Sequence, residues 1–436
     1  MANIAYEVAV RVGTVAHLLS QKKRYPEESA EREMAEERLR PLKHLNLPGG
    51  RPVYWLHAVS MGEVGVANVL VRELKRLAPG ALAVISTSTA TGYDAARKIK
   101  DVDAVVASRF DIRDLVSTMF EAIRPTAIIL VEGDLWRNMM ALANRRGVPV
   151  FVANAKLSEK SLAFYTKFPV YSRSLFSRIA HVYAQTELYQ SRFLEAGLAA
   201  ERCEVSGNVK LDMAVTTPAK EELEEITKTA GCEGADKIVT FGSLHPGEEI
   251  PAIHGMLRVW ERHPGAQCLI APRHIEKTPQ FIESIRREFD LECRIYSQTA
   301  GKDEADGLPS PHDTRITIVD RMGLLMKLYA LADIGVVGGT FVAGVGGHNL
   351  TEPAFLGKPV IYGPYVYKQP GLHDLVTAYD AGRQATEENF PDVLASLIDD
   401  ADGARQIGLN GERMVADSRG VAARIVGDIL ERTGES

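Results

Sequence analysis

Residues 334–364 read IGVVGGTFVAGVGGHNLTEPAFLGKPVIYGP, and this stretch decides the fold. It opens with a short apolar run, Ile334–Val337, whose composition predicts a buried strand. Five glycines then stand within ten residues, and helical composition begins near Thr351. Gly357 is placed to end that helix, and residues 359–362 form a second apolar run. The stretch therefore predicts a tight strand, loop, helix and strand unit of an α/β fold.

The glycine loop of this unit predicts an anion site. Glycine permits positive φ and close approach of a ligand, and the first turn of a helix leaves free N–H groups that suit a phosphate. Asn349 and Glu352 form either a capping box or a ribose site, in which the Glu352 carboxylate accepts hydrogen bonds while the loop amides face the phosphate. The two interpretations can coexist. His348 is either a donor on the phosphate side or a loop histidine with ordinary partners.

Similar apolar runs alternate with helical stretches along most of the chain, which predicts parallel sheets covered by helices on both faces. The runs occupy residues 53–57, 82–86, 103–107, 127–131, 150–154, 181–185, 238–243, 268–272, 316–320, 334–337 and 360–363. The pattern weakens over 212–236, so we expect two doubly wound Rossmann-like domains facing across a cleft. The predicted parts are an amphipathic segment (1–50), a first domain (51–215), a linker (216–236) and a second domain that includes the C-terminal helix (237–436). The alternative for the last helix, 420–432, is that it packs back on the first domain.

Composition excludes several classes of function. The net charge of −6 argues against a nucleic-acid backbone as the main partner. Four cysteines without CxxC spacing argue against a disulfide framework and a structural zinc site. The sequence contains no HExxH motif, no Walker lysine, and no GxGxxG after the first strand, so we predict neither a metal nor an organic cofactor.

The N-terminal segment allows two interpretations. Residues 4–19 are mostly apolar but contain Glu7 and Arg11, and the run is shorter than the roughly 20 residues that span a bilayer. A basic cluster at 22–24 follows, and an apolar face with a basic flank is typical of a helix lying on a membrane surface. The alternative is a soluble amphipathic helix that packs on its own domain.

Three charged residues of the first half are candidates for catalysis. Glu63 follows the first strand in HAVSMGEV, at a helix start whose dipole favours the charged form of a base, although acidic residues are common in any first turn. Glu132 ends the fourth strand in VEGDLWRN. Lys210, in GNVKLD, is either a point donor for a phosphate or carboxylate, or an ordinary surface lysine.

The second half supplies candidates for anion binding. The segment 241–249, FGSLHPGEE, is a strand followed by a small-residue turn and an acidic helix start, and it contains Ser243. The segment 271–278, APRHIEKT, places Pro272 and Arg273 at a strand end, where arginine offers a forked donor. Together with the glycine loop, these groups predict an anionic ligand.

Taken in order from about residue 51 to residue 365, these motifs resemble the Kdo (3-deoxy-D-manno-octulosonate) transferases. The shared motifs are HAVSMGEV, STSTATG, EGDLWRN, NAKLSEKS, GNVKLD, GSLHPGEE, PRHIEKT and the glycine-loop stretch. The resemblance implies a GT-B fold and a metal-free, inverting transfer of Kdo from CMP-Kdo to the tetraacylated lipid A precursor, lipid IVA. It also implies an acceptor-binding first domain, a CMP-sugar-binding second domain, and a place on the cytoplasmic face of the bacterial inner membrane.

The same resemblance implies roles for individual residues. Glu63 would be the general base that takes the proton of the acceptor hydroxyl, and Glu132 and Lys210 would steady the transition state. The implied substrate-binding residues are Ser243, Pro272, Arg273, Met322, Gly323, Gly339, His348, Asn349, Leu350, Thr351 and Glu352.

The chain departs from the family pattern at several positions. Leu324 stands where the family usually has a glutamate that follows Met-Gly, so one cytidine or ribose contact is expected either to be lost or to be made by the backbone. Gly133, Asp134 and Arg137 replace Thr, Glu and Pro of the usual ETELWPN, and residues 1–50 lack a strongly hydrophobic anchor. The alternatives are another GT-B enzyme, such as a hexosamine transferase or a 2-epimerase, and a silent sugar-nucleotide-binding protein. The number of Kdo units added, the acyl preference and the oligomeric state stay open.

Overall fold

The computed structural model describes residues 2–40 (the first four by backbone alone), 42, 45–213, 218–299 and 314–435. The chain divides into two compact units. One consists of Met1–Met213 with Ser418–Ser436, and the other of Ala214–Asp417. The cleft expected from the sequence concerns the placement of one unit relative to the other, and it stays a prediction.

The first unit contains a seven-stranded parallel sheet in the order β3-β2-β1-β4-β5-β6-β7. Its strands are β1 (Val53–His57), β2 (Leu82–Thr87), β3 (Ala104–Ala107), β4 (Ala127–Val131), β5 (Val150–Ala155), β6 (His181–Ala184) and β7 (Cys203–Val205). Its helices up to this point are α1 (Ala2–Arg24), α2 (Ala30–Glu37), α3 (Met61–Leu77), α4 (Ala90–Arg97), α5 (Arg113–Ile123), α6 (Arg137–Arg145), α7 (Glu159–Lys167), α8 (Pro169–Phe176) and α9 (Glu187–Glu195), with 3-10 turns at Ala200–Arg202 and Val209–Asp212.

Both faces of this sheet are buried because alternate residues of a strand point to opposite sides. In β1, Trp55 joins an apolar cluster with α5, α6, α8 and α9, whereas Tyr54 and Leu56 join a second cluster with α3. Every residue of β1 is buried. The continuous apolar runs that predicted the strands are therefore explained by coverage from both sides.

The second unit contains another seven-stranded parallel sheet, in the order β10-β11-β9-β8-β12-β13-β14. Its strands are β8 (Ile238–Leu244), β9 (Gln267–Pro272), β10 (Arg294–Ile295), β11 (Ile316–Ile318), β12 (Ile334–Val337), β13 (Val360–Tyr362) and β14 (Gly382–Gln384). Its helices are α10 (Lys220–Thr229), α11 (Glu249–Trp260), α12 (Thr278–Phe289), α13 (Tyr296–Thr299), α14 (Leu325–Leu331), α15 (Pro370–Ala378), α16 (Phe390–Asp399) and α17 (Ala401–Asp417), with 3-10 turns at Ile275–Lys277 and Ala354–Leu356. The last helix of the chain is α18 (Val421–Thr433).

The predicted α/β class is confirmed, and all eleven predicted strands are present within a few residues. Sequence reasoning missed β7, β10 and β14, which are only two or three residues long and lie at or next to the edges of the sheets. Such short strands carry too little apolar sequence to form a pattern.

The assignment of the C-terminal helix to the second domain is wrong. Ile425 and Ile429 of α18 pack in the same apolar cluster as Leu56 of β1. The carboxylate of Asp212 accepts hydrogen bonds from the amides of Gly420 and Ala422, both at 2.6 Å, at the start of the helix. The apolar face of α18 therefore completes the cover of the first sheet.

The predicted linker is also wrong in part, since residues 220–229 form α10. Ile226 of this helix packs in a cluster with Leu269 of β9, so α10 belongs to the second unit. The polar surface that suggested a linker is the solvated side of an amphipathic helix.

The predicted helix beginning near Thr351 is wrong as well. The chain forms only a three-residue 3-10 turn at Ala354–Leu356 between β12 and β13. Asn349 Oδ1 accepts from the amide of Thr351 at 3.1 Å, which makes a local side-chain turn instead of a helix cap. Gly357, with φ of 65°, ends the 3-10 turn in the left-handed conformation that the sequence predicted for a terminator.

The N-terminal segment packs on the first unit. The hydroxyl of Tyr6 donates to Asp111 at 2.7 Å, and Nε of Arg38 donates to the carbonyl of Ser108 at 2.7 Å. Within the described residues, no helix combines the length and the apolar composition that a membrane crossing requires.

Candidate functional site

Glu63 lies in the first turn of α3, directly after β1. Its carboxylate accepts hydrogen bonds from the amide of Val59 at 2.7 Å and from the hydroxyl of Ser60, the N-cap residue, at 3.2 Å. These contacts with the start of the helix agree with the interpretation of Glu63 as an ordinary acidic residue of a first helical turn. The side chain is only half-buried, so its carboxylate also stays open to proton transfer.

The pKa of Glu63 is raised above its ordinary value. Burial is the main cause, the amide of Val59 opposes it, and the nearby carboxylates of Glu132 and Asp134 add to the rise. The expectation that the helix start favours the charged form is therefore wrong in its net direction, because burial outweighs the hydrogen bonds. A raised pKa suits a general base, since it increases the affinity for the proton that the base must accept.

Glu132 is the first residue after β4, and only 6% of it is exposed. Its backbone is left-handed, with φ of 65°. One carboxylate oxygen lies 3.3 Å from Nζ of Lys210, and the other forms an ion pair with Lys156. Nδ2 of Asn154 also donates to the carboxylate, at 3.4 Å. The structure thus brings together Glu132, Lys210 and Lys156 in a cluster that carries one net positive charge, and the catalytic roles of Glu132 and Lys210 stay predictions.

The pKa of Glu132 is lowered. Burial alone would raise this pKa, but the charges of Lys210 and Lys156 outweigh it, so Glu132 is an anion at neutral pH. Sequence reasoning gave Lys156 no role. The sequence feature that could have pointed to Lys156 was its position directly after β5. The strands β1, β4 and β5 are neighbours, so their carboxyl ends lie at the same edge of the sheet.

A buried network that sequence reasoning also missed supports this edge. Nε1 of Trp136 donates to Nε2 of His57 at 3.1 Å, and Nδ1 of His57 lies 2.8 Å from the hydroxyl of Ser86. Burial and the charge of Arg38 lower the pKa of His57 to about 4, so the ring is neutral. The neutral ring accepts from Trp136 and donates to Ser86, which orients the segment that follows Glu132.

In the second unit, the carboxylate of Glu248 binds loop amides that the sequence predicted to face a phosphate. One carboxylate oxygen accepts from the amides of His245 and Gly339, both at 2.7 Å, and the other accepts from the amide of Phe341 at 2.9 Å. Only 2% of Glu248 is exposed. The prediction that the loop amides face a phosphate is therefore wrong for Gly339 and Phe341, because an internal carboxylate already occupies them.

His348 lies in a cluster of histidines beside that loop. Its Nε2 is 2.9 Å from Nε2 of His245, and the two rings are stacked with centroids 5.1 Å apart. Burial, followed by the charges of His245, Arg273 and Lys368, lowers the pKa of His348 to about 4. Neutral imidazoles beside two cationic side chains form a surface that favours an anion.

Ser243 and Arg273 lie at the carboxyl ends of adjacent strands. Ser243 is the irregular residue of β8, with φ of 58°, where the register with β9 shifts. Pro272 ends β9, and the amide of Arg273 donates to the carbonyl of Leu244 at 2.9 Å. Because β9, β8 and β12 are neighbours, these residues share an edge with the glycine loop.

The turn at Met322 and Gly323 lies beyond the end of β11, the strand on the other side of β9. Met322 is 60% exposed, and Gly323 has φ of 86°, which favours glycine. Leu324 precedes α14 and packs against an apolar cluster that contains Leu328. A polar contact from the side chain at position 324 is therefore replaced by apolar packing.

The four residues at 349–352 do not play equal parts. Leu350 and Thr351 are fully buried, and the hydroxyl of Thr351 donates to Asn349 at 2.7 Å. Asn349 and Glu352 are half-buried, and the charge of Glu352 contributes to the raised pKa of the buried Tyr329. As ligand-binding residues all four stay predictions.

Known proteins resemble this chain over most of its length. Residues 31–213 match the family model of 3-deoxy-D-manno-octulosonic-acid transferase (Kdo transferase). The 3-deoxy-D-manno-octulosonic acid transferase of Chlamydia trachomatis serovar D is 28% identical over 360 residues, which are 80% of this chain and 79% of that protein. The transferase of the same name from Haemophilus influenzae is 26% identical over 383 residues, 86% of each chain.

A solved structure shares the fold. The glycosyltransferase of Rickettsia africae covers 89% of this chain and 100% of its own length, with a TM-score of 0.61 at 14% identity. Together with the two parallel sheets, this similarity identifies a fold of the GT-B type.

Proposed function

We propose that the chain is a Kdo transferase, as the match of residues 31–213 to that family model and the relatives of that name support. In this proposal it transfers Kdo from CMP-Kdo to lipid IVA, the lipid A precursor, with inversion at the anomeric carbon. In this reaction the acceptor hydroxyl forms the new C–O bond while the bond between Kdo and the phosphate of CMP breaks. CMP leaves as an anion, and the proton of the hydroxyl passes to a base.

The observation that carries the proposal is the different placement of two glutamates in the first unit: the carboxylate of the half-buried Glu63 accepts from Val59 and Ser60, whereas the buried Glu132 is ion-paired with Lys210 and Lys156. The pKa of Glu63 is raised, and that of Glu132 is lowered by Lys210 and Lys156. Environments that separate two carboxyl groups in this way assign their roles. Glu63 is the group that accepts the proton, whereas Glu132 stays an anion and holds the two ammonium groups near the reacting centre.

The second unit binds the donor in this proposal. CMP-Kdo carries a phosphate and a sugar carboxylate, and Arg273 and Lys368 supply positive charge beside the neutral His348. Asn349, Glu352 and the exposed turn at 322–323 are available for the nucleoside. The amides taken by Glu248 are not part of the donor site, so side chains and the turn carry the binding.

One experiment tests the activity. Purified chain is incubated with CMP-Kdo and detergent-dispersed lipid IVA, and the lipid product is weighed by mass spectrometry. We expect a mass gain of one or more Kdo units. Transfer from a UDP-hexosamine instead of CMP-Kdo, or epimerisation without transfer, would favour the other GT-B activities.

The variant Glu63→Gln separates an enzyme from a silent binding protein. Loss of the base is expected to lower turnover by about 10²- to 10⁴-fold while binding of CMP-Kdo is retained. Glu121→Gln, an exposed acid on α5 of the same unit, is the matched control. Turnover that survives in Glu63→Gln would remove the proposed base, and binding without turnover in the unaltered chain would indicate the silent protein.

We also propose that the chain attaches peripherally to the cytoplasmic face of the bacterial inner membrane through α1. Val8, Val12, Val15 and Leu19 are each more than half exposed, and their spacing places them on one face of the helix. Lys22, Lys23 and Arg24 form its last turn. An apolar stripe followed by basic residues suits an anionic lipid surface, where the lipid acceptor is found.

A further inference from the structure

Three potential metal ligands converge in the first unit, outside the groups assigned to catalysis. They are His181 at the start of β6, Glu204 in β7 and Asp428 in α18. One ligand atom from each residue lies within 4.8 Å of the others. Nε2 of His181 is 3.9 Å from a carboxylate oxygen of Glu204.

The fold places these side chains on one face of the sheet. His181 and Tyr183 are two residues apart in β6, so they point to the same side. Glu204 is the parallel partner of Tyr183 in β7, so it also points to that side. This is the side that α18 covers, and Asp428 reaches the group from that helix.

His181 lacks the partners that a buried histidine normally has. Only 4% of the residue is exposed, and neither ring nitrogen has a hydrogen-bond partner among the described residues. Buried polar atoms are rarely left without partners, because each costs about 1–3 kcal/mol.

Asp428 is held in place by neighbours that leave one oxygen for a ligand. Its Oδ2 accepts from the hydroxyl of Tyr183 and from Nε of Arg432, the latter at 2.5 Å. Contacts of this kind orient the carboxylates of metal sites. The charge of Arg432 opposes a cation, but Glu204 and Asp428 together supply two negative charges.

We propose that His181, Glu204 and Asp428 bind one divalent transition-metal ion, of which Zn²⁺ is the probe of choice. One imidazole and two carboxylates are ligands that Zn²⁺ accepts, with water in the remaining position. Glu204 is 54% exposed in its side chain, which leaves an entry path from solvent. The ion ties α18 to β6 and β7 of the first sheet.

The position of this site indicates a structural role. His181 stands at the amino end of β6, whereas Glu132 and Lys156 follow the carboxyl ends of β4 and β5. Because the strands are parallel, His181 lies at the opposite ends of the strands from Glu132 and Lys156. The ion therefore stabilises the return of the C-terminal helix to the first unit, and it takes no part in glycosyl transfer.

The test is a calorimetric titration of the metal-stripped full-length chain with Zn²⁺, together with melting curves. We expect one ion per chain and a rise in melting temperature of about 5 °C at saturation. The variants His181→Gln and Glu204→Gln should each weaken binding at least about tenfold and lose the rise. Their controls are His254→Gln on α11 and Glu195→Gln on α9, which should bind as the unaltered chain does.

Glu204 is half-exposed, so Glu204→Gln should fold even if His181→Gln does not, and circular dichroism verifies this. Binding of Co²⁺ with visible ligand-field bands that Glu204→Gln lacks would give independent support. The proposal fails if the unaltered chain binds no Zn²⁺ stoichiometrically, or if folded Glu204→Gln binds it equally well.

Discussion

Glu132 and Glu248 are both almost fully buried near the carboxyl ends of parallel strands, one in each unit, yet their surroundings differ. Lys156 and Lys210 neutralise Glu132, and its pKa is lowered. Backbone amides surround Glu248, and burial raises its pKa in spite of them. The ammonium groups belong to side chains that Glu132 holds in place, whereas the amides of the glycine loop are part of the chain path.

A buried carboxylate near a predicted site is therefore not by itself a functional group. Partners that carry opposite charge keep Glu132 ionised and leave cationic groups beside Glu63. Glu248 binds backbone amides and so holds the glycine loop against the start of α11, which is a structural role. Four predictions test whether Glu132 is functional and Glu248 structural.

Of these four, the largest effect is expected from Glu132→Gln, which leaves Lys156 and Lys210 without their anion. Turnover with CMP-Kdo should fall on the order of 100-fold, because the ammonium groups lose their fixed positions. Steady-state kinetics measures this effect. The fold should survive, and the exposed Glu121→Gln serves as the control. An unchanged turnover would make Glu132 as structural as Glu248.

Glu248→Gln should act on stability. The amide group of glutamine turns an N–H toward backbone donors, so the second unit should lose about 2–3 kcal/mol of its free energy of unfolding. Urea denaturation monitored by fluorescence measures this loss. The control is Glu261→Gln, an exposed acid that follows α11. A stable variant that has lost only CMP-Kdo binding would contradict the structural role.

A smaller effect is expected on the surface of the first unit. Val12→Glu introduces charge into the exposed stripe of α1, and sedimentation with anionic lipid vesicles should show binding weakened about tenfold. Leu409→Glu, at an exposed position of α17, should bind as before. Equal binding by both variants would exclude α1 as the attachment surface.

The smallest effect concerns the pH profile. A base acts in its deprotonated form, so kcat/KM should fall as pH drops through the raised pKa of Glu63, above the ordinary range of a glutamate. The Glu132 charge contributes to that rise, so in Glu132→Gln the acid limb of the residual activity should move to lower pH. A limb that does not move would show that the two carboxylates are not coupled.

Much of the site could be predicted from the order of strands and strand ends. The strand-end positions of Glu132, Arg273 and Ser243 could be predicted because polar residues that follow apolar runs lie at one edge of a parallel sheet, and their roles in binding and catalysis stay predictions. Lys156 and His57 were missed because a lysine after a strand and a histidine within one have many uses. Their roles depend on which distant side chains meet them.

The sequence by itself determined the two sheets, since apolar runs of strand length reveal buried strands wherever they occur. It also determined which motifs stand at the strand ends. Three features depend on tertiary packing: α18 covers the first sheet, the loop amides donate to Glu248, and the pKa of Glu63 is raised. Each of these depends on burial and on partners far away in the chain, and local sequence carries no record of either.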